Sequence, residues 1–541
     1  MMIPDWPILS LIVFSPLAGA AVLLAMPKQR ARLLRITAII ATLLPLALTL
    51  WLYADFDANR VGDSFEEYAA WVNIPLDQAG LGGGAASYGL HLDYRLGIDG
   101  LSLPLVLLAT VITAMAALAS VTIRKRWKAY YIWLLVLECG MLGVFLARDL
   151  FLFFIFFEIT LIPMLFLIGI WGLFNREKAA TRFLIYNGLG SAVMLIVFAI
   201  VVMTAGFSIG DTQGGGAVFS YSGSYETILA NLSDPQAVVN QVAAGNVNPF
   251  YLSNGMETAL FVLLLIAFGI KLPIFPFHSW MLSVHREAPA PVVMIHSGIL
   301  LKMGAYGLIR FGFFLFPEQA ERFAPTLAVL GLINLLYGAV IAYRQQELRS
   351  MLAYSSLSHM GIVLLGLASL HVIGMQGAVF QLVSHGLISA LLFLLIGSFY
   401  ERTGTSRIDE LGGLAKAAPF MAGALLAGGL ASLGLPGLSG FVGELLALLG
   451  LFDTHKVIVS IALLGIILTA AYVLRAIMGI TFGELPAKYG SMKDARFIEA
   501  LPIVVLLAFV LLLGIYPSFL TELMKHGFDP LLHHINMRVG G

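Results

Sequence analysis

Charge is scarce in this chain. Only 11% of its 541 residues are Asp, Glu, Lys or Arg, against about a quarter in an ordinary soluble domain. That scarcity excludes a soluble globular protein, and a hydrophobic share of 59% fits a membrane composition instead. The 31 basic and 31 acidic residues cancel, so no basic excess suggests a nucleic-acid partner. Cysteine is rarer still. The single Cys139 excludes disulfides and any Cys-ligated zinc or iron–sulfur site. No glycine-rich phosphate loop follows a strand, which leaves no nucleotide site. The opening MMIPDWP has no basic stretch ahead of its apolar run, so no cleavable signal peptide is expected and the chain should be anchored by its own helices.

Long apolar runs are what the chain does have. A spanning helix needs about 20 mostly apolar residues. The runs predict an all-α polytopic membrane protein with about fourteen spans, at 8–26, 34–53, 98–122, 129–147, 150–171, 181–204, 258–280, 289–311, 325–343, 350–369, 374–399, 418–452, 457–482 and 499–521. The twelfth is too long for one straight helix. Loop charge orients the set. Twenty of the 31 Lys and Arg residues fall in alternate loops, among them Lys28, Arg124, Arg286, Arg344 and Arg402, and such loops face inward. The connection 205–257 has no Lys or Arg at all. It is expected outside and partly irregular, with both termini outside as well.

Two spans carry a break. FGIKLPIFPFHSW places Pro273 and Pro276 in the seventh, and ASLGLPGLSGFVGE places Pro436 between glycines in the twelfth. Proline removes a helix hydrogen bond and clashes with the preceding turn. Inside a bilayer the freed groups must be satisfied within the protein. Paired interrupted helices point to inverted repeats around an ion site. The breaks are five spans apart, which predicts helices 1–3 over residues 1–128, one five-helix repeat over 129–311, a second over 325–482, and a C-terminal helix and tail over 483–541.

Each break lies beside an ionisable residue, and the spans hold more of them: Glu158, Lys271, Lys302, His359, His385 and Glu444. A charge near the bilayer centre costs about 2.5–3.5 kcal/mol on insertion scales, so six such positions need partners or a water-filled route. The types suit proton transfer. A desolvated lysine can give up its proton, and a nearby carboxylate restores its hold on it. Histidine can relay near neutrality. Blander roles stand beside this one. Glu158 and Lys271 could form a static ion pair, Lys302 could snorkel, His359 and His385 could be core histidines, and Glu444 could be solvated. Glu138 could join the route or pair locally, and His278 and His285 could take up protons or be loop residues. His296 lies a turn and a half before Lys302 and is expected to pack. Arg310 and Arg475, toward span ends, are expected to be snorkelling anchors.

The segments FFEITLIPM, FGIKLPIFPFHSWMLSVHREAP, GILLKMGAYGLIRF, LRSMLAYSSLSHMG and LPGLSGFVGE together resemble the antiporter-like membrane subunits of NADH:quinone oxidoreductase, respiratory complex I. The likeness is firmest over residues 90–480, and LGIDGLSLPLVLL and the acid at Glu444 favour one of the three sister subunits. It implies a proton channel within a redox-driven pump of the bacterial inner membrane. Glu158 would pair with Lys271, Lys302 would be the central lysine, His359 and His385 the relay, and Glu444 the exit acid. FMN, iron–sulfur clusters and quinone would sit in partner subunits, with none in this chain. Its partners would be the other membrane-arm subunits, sister antiporter-like ones included, together with the bilayer and protons. The subunits of Mrp-type Na⁺/H⁺ antiporters are similar too. Two features depart from the pattern: His296 in VVMIH, where small residues are usual, and the longer 205–257 connection.

Overall fold

In hydrocarbon a backbone can bond only to protein, so long apolar runs become helices. The computed structural model describes residues 6–56, 65–75, 87–211, 217–242, 248–525, 527–529 and 531; most of the terminal residues to which the sidedness expectation applies, at 1–5 and 532–541, lie outside this set. Among the described residues, thirteen helices are long and apolar enough to cross a membrane, from Ile8–Ala25 to Phe497–Ile515. The difference from fourteen lies in 418–452. There the chain forms two fourteen-residue helices, Pro419–Ser432 and Ser439–Phe452, each about 21 Å long at 1.5 Å per residue. Between them Gly434 and Gly437 take φ of +77° and +91°, which only a residue without Cβ adopts freely.

The other proline-marked span is also interrupted. The helix Asn254–Lys271 stops at Lys271, and a short helix, Ser279–Glu287, resumes after the prolines. The next helix, Ala290–Phe313, is continuous but not uniform, because the turns His296–Leu300 and Leu308–Phe313 are π-helical. Such wide turns are rare and concentrate at functional sites. Ala290–Phe313, Leu348–Ala368 and Val372–Thr403 form the centre and bury nearly every side chain. The helices Ile8–Ala25, Ala31–Asp55, Lys456–Thr481 and Phe497–Ile515 leave most of theirs at least partly exposed, as a face toward lipid requires.

The connections hold more order than expected. β1 (Glu66–Pro75) pairs antiparallel with β2 (Ser87–Gly97). β2 pairs parallel with β4 (Ala217–Ser222), which pairs antiparallel with β3 (Phe207–Asp211). The sheet order is β1-β2-β4-β3. The 205–257 connection is therefore not merely irregular: it supplies two strands and the helix Tyr225–Ser233.

Directly after β2, Asp99 anchors the end of the Lys302 helix. Its Oδ2 accepts hydrogen bonds from Arg310 Nη2 at 2.5 Å and Arg148 Nη2 at 2.8 Å. Its Oδ1 accepts from the backbone N–H groups of Leu101 and Ser102. Burial alone would raise the Asp99 carboxyl, but the Arg310 and Arg148 guanidiniums outweigh it and hold the group well below the usual carboxylate range. Arg310 is thus no snorkelling anchor, being 4% exposed and ion-paired. Arg475 does stay at the surface, donating to the Tyr343 carbonyl with its guanidinium 5.1 Å from that ring.

Candidate functional site

Lys302 lies between the two π turns with no exposed surface. Its Nζ donates to the Ser297 carbonyl and sits 2.8 Å from His385 Nδ1. In that contact either an ammonium donates to a ring nitrogen or a ring N–H donates to an amine. One proton is shared whichever group holds it. The His385 and His359 rings are 5.3 Å apart. His359 Nδ1 is 3.4 Å from Glu444 Oε1 and 3.3 Å from Gln381 Nε2, and Ser432 Oγ is 3.4 Å from its Nε2. Four of the residues expected from sequence therefore form one buried row, Lys302–His385–His359–Glu444. Glu444 is 5% exposed, so it is not simply solvated. Beside the row, Ser355, Ser356, His385, Ser389 and Ser432 help line a void of about 10 Å³, close to the roughly 10–15 Å³ that one water needs.

Glu158 and Lys271 approach without closing. Lys271 Nζ and Glu158 Oε1 are buried and have no hydrogen-bond partner. Lys271 Nζ instead lies 4.7 Å from the Phe157 ring and 5.7 Å from the Phe183 ring, with Glu158 the carboxylate whose field reaches it. A static contact pair is not what the structure contains. Glycine sets the spacing to the next helix. A Cβ on Gly304 would come within 2.6 Å of Leu272 N and 3.0 Å of Lys271 Cβ, so the Lys271 and Lys302 helices meet backbone to backbone. Glu138 is fully buried with neither oxygen hydrogen-bonded; it does not pair locally.

The histidines of the first half divide. His278 is buried against the Phe275 and Tyr337 rings. His285 and His296 are both fully buried, and His285 Nε2 lies 2.9 Å from His296 Nδ1. His296 packs as expected, edge-on against the Phe183 and Trp280 rings, and meets His285 as well. The π turn of this helix begins at His296. Sequence reasoning also missed Gln381 and Ser432, which fix His359. Both are ordinary polar residues within apolar helices and carried no signal beyond that.

Chemically, the site is a set of titratable groups in apolar surroundings, Lys302, His385, His359 and Glu444 in a contiguous row and Lys271 and Glu158 without hydrogen-bond partners. Groups of these types can take up and release protons. Among the described residues there is no cluster suited to a metal ion.

A family model described as NADH:quinone oxidoreductase/Mrp antiporter, TM, matches residues 147–469. Over 552 residues, 98% of this chain and 94% of the relative, the sequence is 36% identical to NAD(P)H-quinone oxidoreductase chain 4 of Prochlorococcus marinus. It is 35% identical to NADH-quinone oxidoreductase subunit M of Rhodobacter capsulatus, over 98% of each chain. Among solved structures, a chain of respiratory complex I from Thermus thermophilus with bound NADH superposes with a TM-score of 0.79, at 29% identity, over 97% of this chain and 99% of that one.

Proposed function

Because this chain belongs to the NADH:quinone oxidoreductase/Mrp antiporter family of membrane proteins, we propose that it is a proton-translocating membrane-arm subunit, of the subunit M type, in an NADH:quinone oxidoreductase. The observation that carries this reading is the buried row Lys302–His385–His359–Glu444, held together by contacts of 2.8 to 3.4 Å and one ring pair at 5.3 Å. Burying such a row is costly in an apolar interior, and proton conduction gives it a use. In this reading Glu158 modulates Lys271, Lys302 holds the central proton, the two histidines relay it, and Glu444 releases it. The chain itself carries no electrons. NADH oxidation and quinone reduction, with FMN and iron–sulfur clusters, belong to partner subunits, and the sister antiporter-like subunits pack alongside.

The two broken helices support a division into two five-helix halves, 129–311 and 325–482, each offering half of the route. The basic loops support an orientation with both termini on the periplasmic side of a bacterial inner membrane. Relatives at about a third identity over nearly the whole length are oxidoreductase subunits, which favours this assignment over an Mrp-type cation antiporter. The test is Lys302→Ala in the intact complex, reconstituted in proteoliposomes. We expect assembly near normal and NADH-driven proton pumping reduced at least tenfold. Pumping at near-wild-type rate would remove Lys302 from the route and this reading with it.

A further inference from the structure

His359 Nδ1 has more neighbours than it can serve. Glu444 Oε1 is 3.4 Å from it and Gln381 Nε2 is 3.3 Å from it, while Ser432 Oγ lies 3.4 Å from the other ring nitrogen. An imidazole nitrogen either holds a proton and donates, or is bare and accepts. A bare Nδ1 can take the amide N–H of Gln381 but has nothing to give Glu444. A protonated Nδ1 can donate to Glu444, and then the amide N–H has no acceptor there. The two neighbours therefore belong to different states of the ring.

The amide can change with that state. Gln381 sits one turn before His385 on the helix Val372–Thr403 and is buried. Its Nε2 faces the ring, and its Oε1 is buried without a hydrogen-bond partner. Buried polar atoms are almost always bonded, so an orphaned oxygen beside a titratable ring needs a reason. A half-turn of the amide exchanges its two ends. It brings the oxygen to Nδ1, where it accepts once that nitrogen carries a proton. Glycines make the approach possible. A Cβ on Gly443, in the facing helix Ser439–Phe452, would strike Gln381 Oε1 and lie 2.9 Å from Gln381 Cα. A Cβ on Gly434 would lie 2.6 Å from Glu444 Oε2. Amide and carboxyl thus reach the same ring nitrogen.

On the proton-translocating reading of this row, we propose that Gln381 is a positioning residue whose amide acts as a one-way latch between His359 and Glu444. With a proton on each ring nitrogen, His359 passes the Nδ1 proton to Glu444 Oε1. An N–H bond breaks and an O–H bond forms. A cationic ring and a carboxylate become a neutral ring, protonated on Nε2, and a neutral carboxyl. The bare Nδ1 then repels the amide oxygen and attracts the amide N–H. That N–H occupies the lone pair through which the proton would return, so Glu444 releases it outward instead.

The test is proton flux through the intact complex in proteoliposomes. Gln381→Met keeps the length of the side chain and removes the N–H. Without NADH, under a gradient imposed with acid on the side that pumping acidifies, its return flux should rise at least fivefold over wild type. Adding Glu444→Gln should abolish the rise, because the return path begins at that carboxyl. Return flux at the wild-type level overturns the latch. A rise that survives Glu444→Gln is a leak through disturbed packing and overturns it too. If Gln381→Met does not assemble, Gln381→Glu decides. It keeps the shape but, once ionised, only accepts and so holds the Nδ1 proton; NADH-driven pumping should fall at least fivefold. Pumping at the wild-type rate, or failure of both variants to assemble, overturns the latch. Lys302→Ala, run in parallel, keeps the two readings apart. If it is inactive while Gln381→Met shows wild-type return flux, the latch falls and the channel stands. If it pumps normally, the channel reading falls first.

Discussion

Replacing Asp99 by Asn keeps the shape of the side chain and removes its charge. In the wild type one carboxylate oxygen serves two guanidiniums, Arg310 at 2.5 Å and Arg148 at 2.8 Å, and Arg310 is 4% exposed. The substitution strands a buried cation, a change worth about 3–5 kcal/mol. With an unfolding entropy of roughly 2.1 cal/mol/K per residue, that corresponds to a fall in Tm of about 3–4 °C for a chain of this length. The assay is thermal release of this subunit from the purified complex, for Asp99→Asn and for Asp99→Asn with Arg310→Met. The double variant no longer buries an unpaired charge and should recover part of the loss, because contacting residues couple by about 0.5–3 kcal/mol. The pH dependence follows by sign. Asp99 is held below its unfolded value of about 3.9. Its contribution is present above that value and is lost only as pH falls through the lower folded value. The Tm gap between wild type and Asp99→Asn should therefore be constant from pH 6 to 8. An Asn variant as stable as the wild type, a double variant no better than the single, or a gap that closes toward pH 6 would refute the ion-pair account.

Glu158→Gln should impair pumping more than Glu138→Gln, because Glu158 is the carboxylate whose field reaches Lys271; equal losses would contradict that ranking. Glu444→Lys should retain more pumping than Glu444→Ala at matched complex levels, since lysine keeps a titratable group near His359 and alanine keeps none. Alanine outperforming lysine would show that Glu444 is not a carrier. Val242, 73% exposed in the 205–257 connection, when changed to Cys should react with an impermeant thiol reagent in intact spheroplasts, while Cys139 is buried and stays silent. Labelling only after membrane inversion would reverse the orientation.

The spanning helices were legible because each rests on a local property, some twenty apolar residues in a row. The breaks at Pro273 and Pro436 were legible for the same reason, since proline acts on its own turn. The sheet was not. Leu90, Leu92, Tyr94 and Leu96 alternate as a strand does, but the second partner of β2 is β4, beyond four intervening helices, and no local pattern states that pairing. The candidate site was half legible. Residue type and span position pointed to Lys302, His385, His359 and Glu444, whereas their contacts depend on helix packing. His296 packs against the Phe183 and Trp280 rings as expected, but its contact with His285 was not legible, because it depends on how two separate helices meet. Arg310 was misread because its partner, Asp99, comes 211 residues earlier.

The parallel pairing of β2 with β4 also imposes an order in time. About 120 residues separate the end of β2 at Gly97 from the start of β4 at Ala217, and a ribosome adds roughly 5–20 residues per second. For about 6–24 s after it emerges, β2 has β1 on one side and an open hydrogen-bonding edge on the other. Four more helices must be delivered to the membrane in that interval before the sheet can close. A nascent chain halted before Ala217 would carry that edge unpaired, and unpaired edges are where chains join wrongly. Synthesis must therefore pass the sixth helix before this part of the protein is safe from its neighbours.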